Sequence, residues 1–251
     1  MKNINLYGIK AIFIFNLKNF FKEYQSTIIS PIISTLLFVV VLSTIGKSFN
    51  IVFERISYVD FVIPGMIMIS VIQTSFQNIS ETIINMKQIG SFNDFLMSPL
   101  SRIEILTAFL FSSIFISLSV AYLNIIVFSF FTDIYLFKNI FYQTIFLIFT
   151  ILLFSSIGAL TGFLTFSWDI QNSISNFIIL PISFLSGTFF SINSINDKWK
   201  FLFELNPFFW LISSFRDSYM GFYKFDFLIN IYLSIFILLI LLISYFVFQI
   251  G

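Results

Sequence analysis

Charged residues fall in clusters along this chain, and long apolar runs separate them. Six stretches carry no Asp, Glu, Lys or Arg: 24–46, 61–80, 105–132, 139–168, 170–196 and 227–251. About 20 helical residues suffice to cross a hydrocarbon core. Lipid offers no partner to a backbone N–H or C=O, so a crossing segment satisfies these groups within itself and is helical. A membrane barrel would alternate polar and apolar positions with period two, and these runs do not. The pattern predicts an all-α membrane protein, one transmembrane domain over 1–251. Its six transmembrane helices are expected at about 25–46, 61–80, 105–131, 139–167, 171–190 and 227–248.

The polar segments between the runs carry the remaining organisation. In residues 6–22, Lys18, Asn19 and Lys22 gather on one side of a helix, with Ile9, Phe13 and Phe20 roughly opposite. That spacing suits an N-terminal interfacial helix lying in the membrane surface; the first turn of an over-long span 1 is the alternative. The lysines interrupt the early apolar stretch and no small-residue cleavage site follows it, so a cleaved signal is not expected. Segment 81–104 is short and polar, with Glu81, Lys87, Asp94, Arg102 and Glu104, and Gly90 and Pro99 as breakers. Within it Phe92, Phe95 and Leu96 share one face of a short helix. Between spans 5 and 6, the apolar run 205–215 is broken by Pro207 and too short to span, which suggests a re-entrant or interfacial element. Lys2, Lys10, Lys18 and Lys22 precede span 1, whereas only Lys47 and Arg55 follow it, near Glu54 and Asp60. This bias places the N-terminus in the cytoplasm. An even number of spans places the C-terminus there too, although four basic residues in 191–226 then lie outside.

Composition narrows the function. The chain is 58% hydrophobic and 10% charged, against about 25% charged in a soluble domain. A net charge of +1 argues against a nucleic-acid partner, which needs dense Lys and Arg. Cys and His are absent, which removes thiolate chemistry, the commonest general base and the commonest transition-metal ligand. The 39 Phe residues are spread over every run, as lipid-facing and packing residues would be. Gly46-Lys47-Ser48 resembles the end of a phosphate-binding loop, but Val41 stands where that loop needs Gly. Asn78-Ile79-Ser80 fits a glycosylation sequon at the end of a span. Gly158 and Gly162 form a small-xxx-small pair, for packing within or between subunits. Asp60, Glu81, Glu104 and Asp169 sit at span ends rather than midplanes, which disfavours a proton-driven carrier. A membrane enzyme using Asp197, Glu204 or Asp217 and an ion-coupled carrier stand as alternatives to a permease driven by another chain.

Three segments carry a family resemblance. They are 56–68 (ISYVDFVIPGMIM), 90–102 (GSFNDFLMSPLSR), and 184–190 (FLSGTFF) continued by Asn206-Pro207, Phe215-Arg216 and Met220-Gly221. Their order and spacing resemble the permease subunit of an ABC-2 type transporter, a family that includes drug, lipo-oligosaccharide and polysaccharide exporters. The resemblance implies export of a hydrophobic, lipid-linked or glycan substrate across a bacterial inner membrane. It implies a homodimer of permeases with two copies of a separate ATPase, and ATP-Mg on that ATPase with no cofactor on this chain. Segment 81–104 would hold the cytoplasmic coupling helix, formed by Gly90, Phe92, Phe95, Leu96, Ser98, Pro99 and Arg102, with its aromatic face in an ATPase groove. Phe61, Pro64 and Gly65 would set the opening turn of span 2. Re-entrant helices would occupy about 191–221, with Gly187 allowing close packing, Asn206-Pro207 starting a helix, Arg216 at headgroup level and Gly221 at the end. The loop between spans 4 and 5, where the family often has a charged run, carries only Asp169.

Overall fold

The computed structural model describes residues 5–48, 52–53, 56–130, 139–190 and 196–250. Helix α1 (Leu6–Lys22) begins at Asn5, whose side chain accepts from the Gly8 N–H. Its buried residues Ile12, Asn16 and Phe20 lie along α5, and Lys18 and Lys22 are exposed. The chain leaves helical geometry at Glu23, so α1 is separate from span 1 and not its first turn. A π-helical turn (Gln25–Ile29) then leads into α2 (Ser30–Ser48). The short strands β1 (Val52–Phe53) and β2 (Ile56–Ser57) pair antiparallel, a small departure from an all-helical chain.

Helix α3 (Tyr58–Ile89) is 32 residues long, about 48 Å. The sequence reading ended it near 80 because Glu81 and Lys87 are charged. The helix instead continues through both to Gly90, which adopts the left-handed conformation (φ 84°) suited to glycine. After it come α4 (Phe92–Met97), α5 (Arg102–Phe128) and α6 (Ile140–Leu164). A helical stretch in three pieces follows: α7 (Trp168–Ile174), a π-helical turn (Ser175–Ile179) and α8 (Leu180–Leu185). Then come α9 (Asp197–Glu204), α10 (Pro207–Met220) and α11 (Phe227–Ile250). Residue 131, the expected end of span 3, and residues 191–195, the expected start of the re-entrant region, lie outside the described residues.

Among the described residues five helical segments are long and apolar enough to cross a membrane: Gln25–Gly46, Tyr58–Ile89, Arg102–Phe128, Ile140–Leu164 and Phe227–Ile250. The stretch expected as span 5 is not one of them. Gln171, Asn172, Ser173, Ser175 and Asn176 make its first half polar. The central helix is α3, 83% buried in its most apolar window, against 11% for the first segment and 22% for the last. It packs on α6, α5, α2 and α10.

The α3–α6 contact explains the small-xxx-small pair. A methyl group on Gly158 would collide with the Phe76 backbone carbonyl, and one on Gly162 would come within 2.9 Å of Ile83 Cβ. The missing side chains let two backbones of one chain approach closely. Several buried hydroxyls are satisfied inside their own helices: Ser75 donates to the Val71 carbonyl, Ser80 to Phe76, Thr150 to Phe146 and Ser156 to Leu152. Asn124 is different. It donates to Ser70 Oγ at 3.1 Å and accepts from Thr35 Oγ1 at 3.0 Å, which ties α5 to α3 and α2.

Candidate functional site

Three arrangements stand out. The first is built on the α3–α5 connection. Gly90 ends α3, Ser98 caps α4 by donating to the Phe95 carbonyl at 2.6 Å, and exposed Pro99 prevents continuation. Ser101 and Glu104 start α5 with a reciprocal capping box, and Glu104 also accepts from the Asn5 backbone N–H at 2.6 Å. Leu100 fills the space over Gly8 of α1. Phe92 and Phe95 turn inward. Phe92 lies 6.4 Å from both Phe163 and Phe248, which stack on each other at 4.3 Å, and Phe95 lies 6.5 Å from Phe109. Leu96 (39% exposed) and Met97 (78% exposed), with Asn93 and Asp94, form the outer face.

Two cations hold this connection to the ends of two spans. The last carbonyls of a helix lack intrahelical partners and carry the negative end of its dipole. Lys87 Nζ donates to the Phe163 carbonyl at 2.6 Å and the Thr165 carbonyl at 3.3 Å, at the end of α6, and lies 4.3 Å from the Phe166 ring centre. Gln88 reaches the Phe166 carbonyl and accepts from Trp168 Nε1. Arg102 donates to the Phe248 carbonyl at 2.7 Å and to the Gln249 carbonyl, at the end of α11. The two residues that bracket α4 in the chain thus bond the ends of α6 and α11.

The second arrangement is a buried arginine. Arg216 on α10 is 5% exposed. Its Nε–H donates to the Phe61 carbonyl at 3.1 Å, and an Nη donates to the Gly187 carbonyl at 2.7 Å and the Thr188 carbonyl at 3.1 Å. The guanidinium lies 3.9 Å from the Phe61 ring centre, in range for cation–π attraction. Gly65 lets the Thr188 backbone approach α3, since a Cβ there would sit 3.0 Å from the Thr188 carbonyl oxygen. Gly187 (φ 81°) turns the chain after α8, under the Phe209 ring. Asn206 caps α10 through the Phe208 N–H and donates to Ser186 Oγ at 3.1 Å; Pro207 takes the first helical position and left-handed Gly221 ends the helix. Pro64 sits within the opening turns of α3.

The third is a cleft of about 700 Å³ between α1, the first π-helical turn and the loop-side half of α3. Its walls include Asn16, Glu23, Thr27, Thr74, Asn78 and Glu81.

The ABC-2 type transporter family profile matches residues 7–220. The chain belongs to the ABC-2 type transporter family. Inner membrane transport permease YadH of Escherichia coli K12 is 26% identical over 222 residues, covering 88% of this chain and 86% of that protein. YadH of Escherichia coli O157:H7 and of Shigella flexneri match to the same extent. As a member of the ABC-2 type transporter family with five long apolar helices among the described residues, the chain is a multi-pass membrane transport permease. The family implies an ABC transporter that works with an ATPase partner.

Within this ABC-2 permease the structure groups the expected site residues differently from the sequence. Phe61 and Gly65, in the opening turns of α3, meet Gly187 and Arg216 in one clamp. Arg216, expected at headgroup level, is buried within the protein. Phe92 and Phe95 face the bundle, and only Leu96 of the expected aromatic face is on the outer side. Four contributors went unseen in the sequence: Lys87 as a helix cap, Met97 as the most exposed apolar residue of α4, and Asn16 and Thr74 in the cleft. A cation one turn before a helix-ending glycine was the available signal for Lys87.

Proposed function

We propose that this chain is the membrane subunit of an ATP-driven exporter and pairs with a second copy. In this reading each copy rests on a separate ATPase subunit, and the ATP and Mg belong to that subunit. The observation that carries it is the pair of cationic caps. Lys87 and Arg102 flank α4 and hold the ends of α6 and α11, so a displacement of α4 has two spans to act on. The docking face is Leu96 and Met97 with Asn93 and Asp94, while Phe92 and Phe95 anchor α4 from below. ATP-driven closure of the ATPases would then shift an inward-open path toward an outward-open one, since interfaces switch between discrete packings.

The stretch Trp168–Leu185 serves as the sixth crossing. Its 18 helical residues reach about 27 Å, close to a hydrocarbon core of about 30 Å, and buried Gln171 donates to Ser80 Oγ on α3. Six crossings put both termini in the cytoplasm, with α9 and α10 as the re-entrant pair on the outer side. The cargo crosses as a hydrophobic, lipid-linked or glycan molecule. The test is co-purification from native membranes. Leu96→Asp with Met97→Asp should abolish association with the ATPase while the permease still folds. Undiminished association would remove α4 as the docking element.

A further inference from the structure

The cleft between α1 and α3 is lined in a way that selects one kind of chemistry. From Thr74 to Ile89 it follows α3 for about 22 Å, from the middle of that helix to the loop end. Glu81 on α3 and Glu23 at the end of α1 both line it and are close enough for their charges to repel. Among the described residues Lys22, exposed, is the one cation on its wall. Two wall residues are more than nine-tenths buried and hold an oxygen without a hydrogen-bond partner among the described residues: Asn16 Oδ1 (5% exposed) and Thr74 Oγ1 (7%).

The remaining hydroxyls add to a surplus of acceptors. Ser26 and Thr27 donate to the Glu23 carbonyl at 2.9 and 2.8 Å, and Thr82 donates to the Asn78 carbonyl at 2.6 Å. A hydroxyl has one proton, so each has only lone pairs left for the cleft. Asn16 spends its amide on Ser112 Oγ at 2.9 Å, which leaves its carbonyl oxygen as the free atom. Thr74, whose hydroxyl proton is unspent, and Asn19, Gln77, Asn78 and Asn85 offer both donors and acceptors and do not change the balance. Phe15, Phe20 and Met86 supply an apolar wall beside these groups. Buried acceptors without partners are costly, and a ligand that donates to them removes that cost.

We infer that this cleft is a binding site for an amphiphilic cation, an apolar body carrying a protonated amine, whose N–H groups meet Glu23, Glu81, Asn16 and Thr74. This rests on the permease reading above and names the class of cargo for it. A free cationic drug and an amine-bearing lipid headgroup share the chemistry.

The test is a fluorescence titration of the full chain, alone in phosphatidylcholine nanodiscs, with dansylcadaverine, an apolar fluorophore bearing a protonated primary amine, as the probe. Dansylcadaverine should bind, and decylammonium should displace it, while decyl sulfate and decyl maltoside, with the same tail, should not. A hydrogen bond to a charged group is worth about 1.5–3 kcal/mol, so Glu81→Gln and Glu23→Gln should each weaken dansylcadaverine about tenfold or more. Glu204→Gln, far from the cleft on α9, should leave it unchanged. Glu23 is exposed at the end of α1, so its replacement reports on binding even if Glu81→Gln misfolds. Competition by phosphatidylethanolamine added to the nanodiscs would assign the site to a lipid headgroup, and its absence to a soluble cation. Equal displacement by decyl sulfate, or unchanged affinity in both carboxylate variants, would overturn the assignment. No ATPase is present, so that failure would leave the ATP-driven reading standing. Loss of ATPase co-purification would in turn leave this titration unaffected.

Discussion

Replacing Arg216 by Met keeps most of the apolar volume of the side chain and removes its five N–H donors. Three carbonyls lose a partner: those of Phe61, Gly187 and Thr188. Phe61 lies in α3, so its carbonyl keeps an intrahelical acceptor role. The other two follow the end of α8, where the Ser186 and Thr188 hydroxyls donate to the Ile182 and Ser183 carbonyls instead. Each buried acceptor left unmade costs about 1–3 kcal/mol, and loss of the contact with the Phe61 ring adds about 0.5–2 kcal/mol. Relief of the arginine's own desolvation works in the opposite direction. The net expectation is a loss of about 2–4 kcal/mol. For a chain of this length 1 kcal/mol corresponds to about 2–4 °C in melting temperature, so Arg216→Met should melt roughly 4–16 °C lower. Tryptophan fluorescence of the purified protein reads this directly, because Trp210 lies on the same helix. Arg216→Lys should fall between the two, since a single ammonium cannot span the fork. A surface arginine would cost less than about 0.5 kcal/mol. If Arg216→Met melts within a degree of the parent, the clamp does not hold α10 to α3.

Other outcomes follow from the same geometry. Gly158→Ala should destabilise the protein by about 1–3 kcal/mol, because the added methyl meets the Phe76 backbone rather than a side chain that can move; a dimer that dissociates while the monomer melts normally would place the small-residue pair between subunits instead. Lys87→Met and Arg102→Met should each cost about 1–2 kcal/mol. They should also lower transport per ATP hydrolysed while ATPase binding persists, and unchanged transport stoichiometry would rule out the caps as transmitters. Glu104→Gln should cost about 0.5–2 kcal/mol and speed amide exchange at Asn5 and Ser101, whose N–H groups it accepts from; unaltered exchange would show the capping box to be dispensable.

Much of the architecture was legible in the apolar runs. Lipid solvates apolar side chains but no backbone polar group, so length and hydropathy alone specify where helices cross, and five of the six runs correspond to long apolar helices. Local chemistry was legible too: Gly90 and Gly221 end helices, and Pro207 takes a first turn. Which face of each helix meets protein was not. A side chain packed in the bundle and one facing lipid are equally apolar, so periodicity loses the contrast that marks a buried face in water. That is why Phe92 and Phe95 were assigned to an ATPase groove although their rings pack toward Phe163, Phe248 and Phe109, and why charge was taken to end α3 at Glu81 although the helix carries it into a cleft. Arg216 was expected at headgroup level, with no reading of which backbone groups it meets. Only the fold brings three backbone carbonyls from α3 and the end of α8 to its guanidinium. The sequence determined that long apolar helices cross the membrane and that glycines and prolines punctuate the connections between them. The tertiary structure decided which polar groups are matched, because a match needs partners 28 to 155 residues apart along the chain.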